Sequence, residues 1–167
     1  MIVRKLSRDW LAGYAAASLD SLDAGQEYLE LLNTAGKLIR VEWAQVKWVC
    51  FVRDINDLST GDVTQPERLL RKSFAGRPRI AGLWLRLTLS DGDELEGIAA
   101  NDLSLLESAG LLLTPPDTRS NTQRMFVPRS AIRDFTVMGV IGPATPRQGK
   151  PAGEADETSP GQPSLFE

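Results

Sequence analysis

Leu83-Trp84-Leu85-Arg86-Leu87-Thr88-Leu89, followed by Ser90-Asp91-Gly92-Asp93 and then Glu94-Leu95-Glu96-Gly97-Ile98-Ala99, is the stretch that decides the fold. Every odd position from 83 to 89 is leucine, the period-two alternation of a strand with one buried face. Asp91-Gly92 supplies the turn, and residues 94–99 return as the partner strand. Downstream, residues 111–114, 124–127 and 132–138 read as three more short strands. A polar, proline-containing loop over 115–121 separates the first two of these. Pro128-Arg129-Ser130-Ala131 makes a tight turn of the 3₁₀ kind before the last. Five short strands with tight connections predict a small barrel.

The same unit occurs earlier in the chain. Gly13-Tyr14-Ala15-Ala16 with Leu19 and Leu22 returns 84 residues later as Gly97-Ile98-Ala99-Ala100 with Leu103 and Leu106. Val41, Val46, Val49 and Val52 stand 86 residues before Val127, Ile132, Phe135 and Met138. A repeat of this length is a duplicated fold unit. The first copy is expected to place strands at 2–6, 11–16, 28–32, 37–41 and 46–52, with polar loop over 20–27. Trp43 and Trp48 flank its short turn, and at least one is expected to fill the seam between the copies.

Composition excludes whole classes of chemistry. The 167 residues include no histidine and one cysteine, so a histidine general base, a hydrolytic triad and a zinc site are ruled out. Asp91, Asp93, Glu94 and Glu96 are the densest carboxylate group, in principle a divalent-cation site; the plainer expectation is a hairpin turn with solvated charges. No glycine fingerprint for phosphate or dinucleotide is present. A formal net charge of −3 gives no global pull towards nucleic acid, so any anion site is local. Arg4, Lys5 and Arg8 precede an apolar run over 10–17 that loosely suggests a leader. Asp9 interrupts it and residues 13–16 belong to the repeat, so it reads as part of the fold. With no membrane-spanning stretch, and with Cys50 in an apolar run and no partner for a disulfide, the expected setting is the cytoplasm.

Residues 85–97, an alternating strand followed by Asp-Gly, four residues and a glycine, resemble the first motif of Sm-like proteins, small five-stranded barrels. Phe126-Val127-Pro128-Arg129-Ser130-Ala131-Ile132 is similar in placement to their second. The resemblance implies an RNA-binding family. Where that family carries its base-reading residues, this chain has Asn101-Asp102-Leu103 and Arg129-Ser130, so the reading apparatus departs from the pattern, and fusion of two units departs from the family's ring of separate subunits.

Between the copies lies the clearest charge asymmetry. Residues 68–87 contain Arg68, Arg71, Lys72, Arg77, Arg79 and Arg86 and no acidic residue. Such a segment suits phosphate neutralisation, with Phe74 and Trp84 available for stacking and Arg124, Arg129 and Arg133 as further cations. The alternative is a helix over 65–74 turning its charged face to solvent. Arg68-Leu69-Leu70-Arg71 and Asp102-Leu103-Ser104 also resemble the motifs of PilZ-type cyclic-dinucleotide receptors, with the arginine spacing one short and an expected glycine missing.

From residue 142 the chain turns to proline, glycine, serine and scattered charge, the composition of a disordered tether. It ends Gln162-Pro163-Ser164-Leu165-Phe166-Glu167. Gln162 with Leu165-Phe166 resembles the bacterial sliding-clamp-binding peptide, in which the glutamine hydrogen-bonds and the apolar pair fills a pocket; Pro163 departs from the commoner leucine. The expected protein is mainly β. It has a first Sm-like or SH3-like barrel over 1–56, a basic and partly helical linker over 57–80, a second barrel over 81–141 and a disordered tail over 142–167. Its expected role is non-enzymatic binding or scaffolding, without cofactor or metal. The expected RNA contacts are Arg68, Arg71, Lys72, Arg77, Arg79, Arg86 and Arg129. The alternatives are an adaptor docking a replication or repair partner through Gln162, Leu165 and Phe166, and a dinucleotide binder. Strand edges are where copies of the chain are expected to pair.

Overall fold

The hairpin forms where the leucine alternation ends. Leu89 N–H donates to the Asp93 carbonyl (2.8 Å) and Gly92 N–H to the Leu89 carbonyl (2.9 Å), with Gly92 at φ +87°. The computed structural model describes residues 1–15, 27–55, 71–117 and 121–143. Within them the strands are β1 (Ile2–Lys5), β2 (Trp10–Tyr14), β3 (Tyr28–Asn33), β4 (Leu38–Glu42), β5 (Val46–Val52), β6 (Gly82–Leu89), β7 (Glu94–Ala99), β8 (Gly110–Thr114), β9 (Thr122–Pro128) and β10 (Ile132–Ile141). A 3₁₀ turn precedes the last strand of each half, at Trp43–Gln45 and at Arg129–Ala131. One short helix, α1 (Ser104–Glu107), follows β7 where no helix is expected from the sequence.

The strand order within the second half is β10-β6-β7-β8-β9, and within the first it is β5-β1-β2-β3-β4. Each half therefore runs fifth, first, second, third, fourth, which is the duplication expressed as topology. The shared glycine has one physical explanation in both copies. A Cβ on Gly13 would lie 2.6 Å from the Leu32 carbonyl oxygen, and one on Gly97 would lie 2.9 Å from Leu113 Cβ. In each half, then, the third strand approaches the second too closely for any side chain.

The expectation of two separately closed barrels needs correction. β5 pairs with β1 on one edge and with β9 on the other, in the register Val49↔Phe126, Cys50↔Met125 and Phe51↔Arg124. All ten strands of the described residues thus lie in one antiparallel sheet, open between β10 and β4. The fourth strand of one half and the fifth strand of the other satisfy each other's backbone groups, which closure of each half by itself would have had to do.

Two apolar clusters straddle this junction. Ile2, Trp48 and Cys50 of the first half pack with Leu85, Leu87, Leu89, Leu113, Met125 and Val127 of the second. Val3, Leu29, Leu31, Val41, Val46 and Val49 take in Phe126 from the other side. In a flat sheet β5 and β6 would stand about 19 Å apart, four strand spacings, so a cluster that includes both requires the sheet to curl. Trp48 fills the seam as expected, and Trp43 packs edge-on against Phe126 at 5.6 Å between ring centroids. The expected linker helix falls mostly on residues outside those described; its described end, 71–74, is not helical. The C-terminal tether from residue 144 also lies outside the described residues.

Candidate nucleic-acid interface

Segment 71–81 leads into β6 and lies against β7. Glu96 of β7 donates its N–H to the Lys72 carbonyl (2.7 Å). Its carboxylate accepts from Phe74 N–H (3.0 Å), from Trp84 Nε1 (3.2 Å), and from Arg86 through Nε (3.1 Å) and Nη2 (2.8 Å). Trp84, Arg86 and Thr88 pair with Ile98, Glu96 and Glu94 on the face of the hairpin opposite the leucines, so the linker is fixed to that outer face. Phe74 and Trp84 meet edge to face at 6.0 Å. The two rings pack on each other instead of both lying open to a base.

Beside this anchor is a second charged group at the junction of the halves. Lys47 on β5, its side chain only 3% exposed, contacts Asp91 and reaches Asp93 at 2.5 Å, and Lys72 reaches Asp93 at 3.1 Å. The ammonium of Lys47 also lies 4.7 Å from the centre of the Trp48 ring. The carboxylates expected to be solvated are thus largely engaged: Asp91 and Asp93 hold a buried lysine of the other half, and Glu96 is buried among donors. Burial raises the Glu96 carboxyl, but the Phe74 N–H, Arg86 and Trp84 more than offset it and the net shift is below its ordinary 4.5. Asp93 is held below its ordinary 3.8, chiefly by its hydrogen bond from Lys47, with Lys72 adding to the effect against desolvation. Among the described residues no three His, Cys, Asp or Glu side chains come together as a metal site.

The candidate cations separate into two groups. Lys72 and Arg86 are tied to Asp93 and Glu96. Arg129 donates to the Ser108 carbonyl (2.8 Å) and to that of Leu105, holding the carbonyl end of α1. Arg71, Arg77 and Arg79 are exposed and carry no hydrogen bond or ion pair among the described residues. Arg68, Gln162, Leu165 and Phe166 lie outside those residues. In the dinucleotide-receptor resemblance, the Asp102 carboxylate accepts the Ser104 N–H (2.9 Å) and hydroxyl (2.5 Å), a local turn that opens α1. Lys47 is the residue sequence reading missed. Its only signal is a charge inside the apolar run Val46-Lys47-Trp48-Val49.

A family model described as "Family of unknown function (DUF6982)" matches residues 1–139. The chain belongs to the DUF6982 family. No curated protein and no solved structure matches it significantly. The DUF6982 match runs through both halves and ends within β10, so it takes in the β5·β9 junction and the anchored linker together. No helix among the described residues of this DUF6982 protein is long and apolar enough to cross a membrane.

Proposed function

We propose that this chain is a non-enzymatic binding and scaffold protein, a tandem of two Sm-like units, whose ligand is an anionic polymer, RNA by preference. The observation that carries the reading is the trio Arg71, Arg77 and Arg79, exposed on a segment whose backbone is pinned to β7 through Glu96. A fixed backbone presents the guanidinium groups with less entropy to lose on binding phosphate. The repeated fifth-first-second-third-fourth strand order supports the Sm-like part of the reading. Lys72 and Arg86 act here as anchors for that segment, leaving the three arginines to meet phosphate.

The test is RNA binding by fluorescence anisotropy across a salt series. Three phosphate contacts predict a slope of log K against log salt of about −2 for a single strand. The R71A/R77A/R79A variant is expected to lose that slope and most of the affinity. No binding at low salt, or a triple variant indistinguishable from the parent, would sink the proposal.

A second reading rests on Gln162, Leu165 and Phe166: the tail makes the chain an adaptor for a replication or repair complex. Calorimetric titration of the chain against a bacterial sliding clamp, with and without residues 162–167, decides it. Binding that disappears with the six residues supports the adaptor; no binding by the intact chain removes it.

A further inference from the structure

The arginine segment has an internal order that its charge alone does not express. Along 71–79 every odd position, Arg71, Ser73, Ala75, Arg77 and Arg79, is exposed, whereas Lys72 and Phe74 are half-buried and Pro78 is buried. Glu96 fixes the first part of the segment, donating its N–H to the Lys72 carbonyl (2.7 Å) and accepting the Phe74 N–H (3.0 Å). Pro78 fixes the second part, as the one buried residue between two exposed arginines.

Proline also sets the local backbone. Its ring holds its own φ at about −65°, and its Cδ disfavours the helical region for the residue before it, leaving Arg77 extended. With the proline turned into the protein, Arg77 and Arg79 leave the chain on the same side, about 6–7 Å apart along it, the length of two extended residues. Neither makes a hydrogen bond or ion pair among the described residues. A Cβ on Gly76 would meet nothing within 4 Å, so the surface beside Arg77 is open among those residues. Two residues of peptide and one nucleotide contain the same number of backbone bonds, so the two extended chains repeat over nearly the same distance. Neighbouring phosphates of inorganic polyphosphate share an oxygen and lie much closer together.

We propose that Arg77 and Arg79 form a clamp for two consecutive phosphates of a nucleic-acid strand, one guanidinium on each, with Pro78 setting their spacing. The inference rests on the nucleic-acid reading above and adds to it that the spacing of charge, and not its amount alone, is recognised. Because both arginines meet only the backbone, the clamp is indifferent to base sequence. Arg71 contributes a contact outside the clamp, separated from it by the small residues Ser73, Ala75 and Gly76.

The test is fluorescence anisotropy of the full chain with two mixed-sequence oligonucleotides of equal length and equal charge. In one the charged phosphates are contiguous and the rest are neutral methylphosphonates; in the other, charged and neutral linkages alternate. The contiguous strand is expected to bind more tightly, with a slope of log K against log salt steeper by about 0.7, one phosphate contact on a single strand. Arg79→Ile/Ile80→Arg keeps charge and composition but moves one guanidinium off the shared side, at two exposed positions. That variant is expected to bind the two strands alike, as are Arg77→Ala and Arg79→Ala. Strands bound alike by the parent overturn the clamp and leave the wider reading standing. A preference retained by the exchanged variant does the same, since charge density would then suffice. No binding of either strand at low salt removes the wider reading and the clamp together.

Discussion

Arg8 and Gly92 occupy the same corner of two equivalent hairpins. Lys5 N–H donates to the Asp9 carbonyl (2.8 Å) and Arg8 N–H to the Lys5 carbonyl (3.1 Å), the pattern that Leu89, Asp93 and Gly92 repeat. Arg8 sits at φ +71° and Gly92 at +87°. The left-handed conformation strains a residue with a Cβ by about 1–2 kcal/mol, and glycine gives back part of this through a freer unfolded chain. Arg8→Gly is therefore expected to stabilise the protein by about 0.5 kcal/mol, and Gly92→Ala to destabilise it by about 1 kcal/mol, read from urea midpoints. Cys50 carries a different prediction. Burial pushes its thiol up to about 12, against a lowering hydrogen bond from Thr122. At pH 8 the thiolate is then roughly one part in 10⁴, and aromatic disulfide reagents are expected to label Cys50 only after unfolding. Prompt labelling of the native protein would show that the seam around β1, β5 and β9 opens on its own.

At the scale of elements, the Glu96 carboxylate gathers the largest set of side-chain contacts around the linker, beside the Glu96 N–H bond to the Lys72 carbonyl and the Lys72–Asp93 ion pair. Glu96→Ala leaves the Phe74 N–H and the Trp84 Nε1–H without their acceptor and Arg86 without its counter-ion. Unsatisfied donors of this kind destabilise by about 1–3 kcal/mol each when buried, and the two part-buried donors, the Phe74 N–H and the Trp84 Nε1–H, together give an expected loss of about 2–4 kcal/mol. Glu96 and Asp93 also set the acid response. Both are depressed in the folded protein, so their stabilisation is complete above the ordinary 4.5 and 3.8 and is lost as pH falls through the lowered folded values. Urea midpoints are expected to fall below pH 4.5, and Glu96→Gln or Asp93→Asn to flatten part of that decline while lowering stability at pH 7. An unchanged acid slope in both variants would mean that other carboxylates govern it.

At the scale of the whole molecule, the halves are expected to unfold together. Ile2, Trp48 and Cys50 face the core of the second half, and Phe126 is buried in that of the first. Phe126→Ala should remove about 3–5 kcal/mol in one cooperative transition, with tryptophan fluorescence and far-ultraviolet circular dichroism changing at the same denaturant concentration. A fragment of residues 1–56, the first repeat by sequence, is expected to lack stable structure on its own because β5 loses β9 and one apolar face of β1 and β5 is laid bare. A folded, dispersed NMR spectrum of that fragment would show that the duplication retains two independent units.

Much of this architecture is written in the chain. The leucine alternation at 83–89, the Asp-Gly turn and the 86-residue offset are local or periodic signals. They placed all ten described strands to within a few residues, because period two and turn chemistry act over short distances. The basic character of 68–87 was equally plain, but which cations stay free was not: that depends on carboxylates brought close by folding, Asp93 for Lys72 and Glu96 for Arg86. Lys47, a charge within the apolar strand β5 that sequence reading passed over, is a contact between the halves through Asp91 and Asp93. The strands, the turns and the duplication follow from local periodicity and from the repeat. That β5 joins β9, that the sheet of the described residues stays open between β10 and β4, and that the exposed cations of the described linker narrow to Arg71, Arg77 and Arg79 depend on contacts between residues far apart in the chain. Strand edges carry no side-chain code for their partner, so edge pairing and charge neutralisation are settled by which surfaces meet in space.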